Sequence, residues 1–92
     1  MFDLNGAWRL HPRVAVRPEP FGALLYHYET RRLTFLKDVT LVVILEALED
    51  ATSATDALRF AGVARESWPH YARALDRLAS TNMLLPVDAT EV

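Results

Sequence analysis

The chain contains no cysteine, which excludes disulfides, zinc thiolate sites and iron–sulfur ligation. Its three glycines are scattered singly, so no glycine-rich phosphate loop exists. His11, His27 and His70 stand far apart with no ligand spacing between them. No metal site and no other cofactor site is therefore expected. Ser53, Ser67 and Ser80 sit in no nucleophile-elbow motif; helix capping accounts for the first two. A chain of 92 residues also has little volume for a pocket of paired carboxylates. With no catalytic equipment, the chain reads as a non-enzyme. The longest apolar run, Leu41 to Leu45, is too short to cross a bilayer. The start, Met1 to Asn5, lacks the basic and long apolar stretches of a signal peptide. A soluble, cytoplasmic protein without membrane contact is expected.

What is present is apolar: 51% of the residues are hydrophobic, enough for one core and one domain over 1–92. Residues 1–12 read as irregular, with Trp8 and Leu10 as anchors, and 87–92 as a frayed tail. Val14 to Val16 is a strand candidate closed by Pro18 and Pro20. Ala23 to Tyr28 is a second strand, with Leu24, Tyr26 and Tyr28 on one face and Ala23, Leu25 and His27 on the other. Two partly apolar faces suggest that one covers the core and the other meets something else. Glu29 to Arg31 forms a turn without the glycine of the best hairpin signals. Arg32 to Leu36 is the third strand.

At Asp38 the period changes from two to near four. Asp38 caps a helix whose expected core stripe is Val39, Val42, Leu45 and Leu48, widened by Leu41 and Ile44. Ser53 to Asp56 resembles a capping box for a short helix that Gly62 ends. A third helix opens near Ser67, with Pro69 in its first turn and a stripe of Trp68, Tyr71, Ala72, Leu75, Leu78 and Ala79. Asn82 ends it, and Met83 to Pro86 is a short extended return. The expected fold is α+β and winged helix-turn-helix-like: a three-stranded antiparallel sheet at the N-terminus followed by three α-helices.

Charge is uneven. Residues 9–37 carry six basic side chains against two acidic ones, a balance of +4, and residues 38–92 four against nine, a balance of −5. This is either scatter over a small surface or a basic docking face for an acidic peptide. A winged helix that binds DNA is the alternative reading, with His70, Arg73 and Arg77 on the third helix. The acidic balance of the helical half argues against phosphate binding, so no nucleic acid partner is expected.

The run Pro18 to Tyr28, followed by Thr30 to Lys37, resembles the mycofactocin biosynthesis chaperones, which are PqqD-like peptide-binding proteins called RiPP recognition elements. Trp8 to Pro12, Val14 to Pro18 and Ala57 to Val63 also match that pattern. The resemblance implies a domain that holds the acidic leader of a ribosomally made precursor peptide and presents it to a radical SAM maturase. It further implies that the leader adds as a strand beside the third strand, facing the third helix. Mapped onto this chain, the peptide-binding residues are Arg31, Arg32, Leu33, Thr34, Phe35 and Leu36 on the strand. On the helix they are Tyr71, Arg73, Leu75 and Leu78. Thr34 is expected to offer an outward N–H and Tyr71 a hydroxyl to the peptide. A monomer, or a weak dimer through the same edge, is expected.

Overall fold

The structure, a computed structural model, describes residues 2–87. The tail expected to fray lies, for residues 88–92, outside the described residues. Chain order is β1 (Trp8–Leu10), β2 (Val14–Glu19), β3 (Gly22–His27), β4 (Leu33–Leu36), α1 (Val39–Leu48), α2 (Ala54–Phe60), a single 3₁₀ turn (Arg65–Ser67), α3 (Trp68–Ser80) and β5 (Leu84–Pro86). The class is α+β as expected, but four strands, not three, precede the three α-helices and a fifth follows them.

The strand layout differs from the expected one, and a winged helix is not established by it. Two antiparallel sheets form: β2-β3-β4, and a separate pair of β1 with β5. Trp8, Arg9 and Leu10 pair with Pro86, Leu85 and Leu84, and Val87 N–H continues the line to the Ala7 carbonyl at 2.8 Å. Residues 1–12 are therefore not irregular throughout. A three-residue strand has too few positions to show a period, and its partner is remote in sequence. The N-terminal segment also closes a helix end. Ala54 and Thr55 donate their N–H groups to the carbonyls of Gly6 and Leu4, so free donors at the start of α2 find partners. Phe2 is buried and stacks on Trp8 at 4.3 Å between centroids.

β2 runs on to Glu19, past the proline expected to end it. Tyr28 N–H bonds the Arg13 carbonyl, and the antiparallel alternation then leaves Val14, Val16 and Pro18 facing away from β3. A proline there on an edge strand loses no ladder bond. At the start of β3, Gly22 (φ 152°) lies so close to β4 that a Cβ would collide with the Leu36 carbonyl oxygen.

Asp38 caps α1 as expected, its carboxylate accepting from the N–H groups of Thr40 and Leu41. Ser53 accepts from Asp56 N–H at the start of α2. Ser67 makes no such bond; the 3₁₀ turn leads into α3 instead. Gly62 (φ 74°) and Asn82 (φ 64°) end α2 and α3 in the left-handed conformation, and the following N–H groups, of Val63 and Met83, reach back to Leu58 and Leu78. The core joins Leu25, Leu36, Leu41, Ile44, Leu45, Leu48, Leu58, Leu75, Leu78, Met83 and Leu84. Val39, expected in the core stripe of α1, is exposed. That helix is apolar on every side, so spacing alone could not say which face turns inward.

Candidate functional site

The β4 strand pairs with β3 on one side and with no strand among the described residues on the other. Its register follows from the turn before it. His27 N–H donates to the Arg32 carbonyl at 2.9 Å, and Arg31 N–H to the His27 carbonyl at 2.8 Å. Two residues thus oppose one, a bulge that places Arg31 at φ 61°. This is how the turn closes without glycine. From His27–Arg32 onward hydrogen-bonded pairs alternate: Leu25 with Thr34 and Ala23 with Leu36 exchange bonds, while Tyr26–Leu33 and Leu24–Phe35 do not. The main-chain donors and acceptors that point outward therefore belong to Leu33 and Phe35. Thr34, expected to offer the edge N–H, has its backbone turned toward β3.

Side chains alternate in the same way. Leu36 is buried in the core and Thr34 half-buried on the same face, whereas Leu33 and Phe35 are 50% and 56% exposed on the other. Leu24 and Tyr26 share that outer face, and Tyr26 meets Tyr28 edge-on at 5.4 Å. The second apolar face suggested by the sequence is thus real and open.

The structure does not bring the ten expected residues into one cleft. Leu75 and Leu78 are buried with Leu36 in the core. Leu33 and Phe35 point to the opposite side of the sheet from α3. Tyr71 is half-buried, and its hydroxyl is engaged: it donates to Asp38 Oδ2 at 2.8 Å. Asp38 is therefore a hub, with Oδ1 capping α1 and Oδ2 tying α3 to the exit of β4. The bond to Asp38, then burial and the carboxylate's charge, raise the Tyr71 pKa above the ordinary value of 10.0. Sequence reasoning read Asp38 as a cap only; a residue 33 positions away gave no signal of the second role.

Arg31, Arg32 and Arg73 are exposed and form no ion pair among the described residues, nor does Lys37 just past β4. On β2 the charges are paired, Arg17 with Glu19 at 3.0 Å, and Arg13 lies 3.8 Å from Glu29 in the β3–β4 loop. Arg65 stands over the Trp68 ring at 5.0 Å, anchoring the start of α3.

The fold gathers one constellation that spacing did not show. Ligand atoms of His11, His27 and Glu29 lie within 4.8 Å of one another. Nδ1 of His11 accepts from Arg13 N–H, and Nδ1 of His27 from the N–H groups of Glu29 and Thr30. A neutral ring so used carries its proton on Nε2, the atom a metal would need. His27 thus acts as a buried brace for the β3–β4 turn. Its Nε2 has no partner among the described residues.

No solved structure matches the chain significantly. A relative from Mycobacterium tuberculosis named "Peptide chaperone MftB" is 51% identical over 89 residues, covering 97% of this chain and 82% of that protein. One of the same name from Mycolicibacterium smegmatis is 53% identical over 85 residues, covering 92% and 83%. Another from Mycobacterium ulcerans is 48% identical over 90 residues, covering 98% and 83%. All three are named as chaperones and not as enzymes. The model of the peptide chaperone MftB family matches residues 7–85, and the chain belongs to that family.

Proposed function

We propose that this chain binds the acidic leader of a ribosomally made precursor peptide as an added strand on β4 and presents it to a radical SAM maturase in mycofactocin biosynthesis, in the cytoplasm. The observation that carries the reading is the open β4 edge, where Leu33 and Phe35 offer both backbone and side chains outward. Family membership supports the class of partner.

Magnitudes decide what must hold the peptide. Two outward residues give four ladder bonds, each worth about 1 kcal/mol net in water. Association costs on the order of 4–15 kcal/mol, so the ladder alone falls short. Covering Leu33 and Phe35 with peptide side chains adds roughly 1.5–3 kcal/mol each. The half-buried Tyr71 of α3 meets the residues that turn the other way. Unpaired Arg31, Arg32 and Lys37 draw in acidic residues and set the register, acting mainly on association rate.

The test is titration of isotope-labelled protein with the acidic precursor leader, followed by amide shifts. The expected result is saturable shifts at Leu33 and Phe35 that exceed those at Val16 on the opposite edge. Largest shifts on β2, or none on β4, would remove strand addition at this edge.

A further inference from the structure

A second surface, remote from β4 in character, lies between α1 and α2. α1 turns Leu41, Ile44, Leu45 and Leu48 to the core, yet it is apolar on its other side as well. Val39 and Val43 are exposed there, and Ala47 continues the line at helical spacing. Phe60 closes α2 beside them and is 82% exposed. Between the two helices is an open groove of about 670 Å³ with Val43, Ala47 and Phe60 in its walls. That is within the range of roughly 300–1,000 Å³ typical of sites that take side chains or ligands.

The rim decides the occupant. Glu46, Asp50 and Asp56 line the groove, and Arg59 is the one cation among its lining residues. Arg59 is engaged by Asp56 at 3.4 Å and lies 5.8 Å from the Trp68 ring centre. Asp56 also accepts from the Thr52 hydroxyl. Three carboxylates around an apolar floor repel phosphate and anionic lipid, and they repel an acidic leader equally. They fit cationic side chains flanking an apolar anchor.

The geometry points to a docking groove for a second protein, which inserts an amphipathic segment with one or two apolar side chains flanked by lysine or arginine. The groove is formed by α1 and α2 and the leader edge by β4, with opposite charge. Peptide and partner protein are therefore held at once. The groove stands on its own observations and not on strand addition.

The probe is a synthetic helical peptide of leucine and lysine, with a control in which glutamate replaces every lysine. The expected result with the intact labelled chain is saturable shifts at Val43, Ala47 and Phe60 for the lysine peptide only. Phe60→Ala, at an exposed position, weakens that binding at least about tenfold. The pair Glu46→Lys with Asp50→Lys weakens it as much. Both variants keep leader binding on β4, so failure of the groove and failure of the edge are told apart. Equal affinity for both peptides, shifts on β4 in place of the groove, or no effect of Phe60→Ala overturns the inference. So does self-association of the chain that Phe60→Ala abolishes, since the groove then serves a second copy.

Discussion

The two edges of the three-stranded sheet face the same problem and solve it differently. An edge strand presents unpaired donors that invite another chain. On β2 the outward positions are Val14, Val16 and Pro18. Val14 N–H is taken by the His11 carbonyl at 2.9 Å, Pro18 has no N–H, and the charges of Arg17 and Glu19 pair with each other. Of the three, only Val16 keeps an unpartnered N–H among the described residues, so that edge is largely closed. On β4 the outward positions are Leu33 and Phe35, with no proline, no local acceptor, and unpaired cations on either side. Strand pairing on the first edge is suppressed by sequence; on the second it is left available. The difference is what singles out β4, and not β2, as the edge on which the proposed strand addition rests.

The most severe way to break the contrast is Gly22→Ala. The new Cβ meets the Leu36 carbonyl and pries β4 from β3. A loss of about 3 kcal/mol is expected in denaturant unfolding, with leader binding lost in proportion. A native midpoint would mean that the strands separate without cost. Next comes a paired proline test. Phe35→Pro removes an outward N–H and an apolar anchor, and should weaken leader binding about a hundredfold by calorimetry. Val16→Pro on the largely closed edge should leave it unchanged, and equal losses would erase the distinction between edges.

Asp38 and Tyr71 fix the end of β4 against α3. Tyr71→Phe should cost about 1–2 kcal/mol near neutrality, as expected for a bond to a charged acceptor. The Tyr71 pKa is raised, so the bond's contribution is complete below the unfolded value near 10 and fades as pH climbs through the folded one. The stability gap between parent and Tyr71→Phe should therefore narrow above pH of about 10; a gap constant to high pH would place the cost in packing. The smallest effect expected is a gain. Arg31→Gly relieves a left-handed arginine and should stabilise the turn by about 1 kcal/mol in thermal melts. It should slow leader association at low salt at the same time.

Much of this was legible locally. The strand period of residues 23–36, the Asp38 cap, the Gly62 and Asn82 stops and the third helix all reside in neighbouring side chains, where spacing and backbone preference act. Even the two apolar faces of β3 can be read from alternation. Illegible features depended on distance along the chain. β1 needs β5, Asp38 needs Tyr71, and His27 needs His11 beside it. The α1 helix defeated periodicity for a different reason: apolar on all sides, it kept Val39 and Val43 outside and left a groove that no stripe announces.

Sequence by itself determined the strand period of β3 and β4, the three helices with the Asp38 and Ser53 caps and the Gly62 and Asn82 stops, and the basic balance of residues 9–37 against the acidic one of 38–92. Those follow from dihedral preferences, capping and charge, all properties of adjacent residues. Only the tertiary structure decided which backbone groups of β4 face outward, which leucines are spent in the core, and that Tyr71 is bound before any peptide arrives. Register and burial are set by what packs on the other side, and one residue of shift in a strand exchanges every inward group for an outward one.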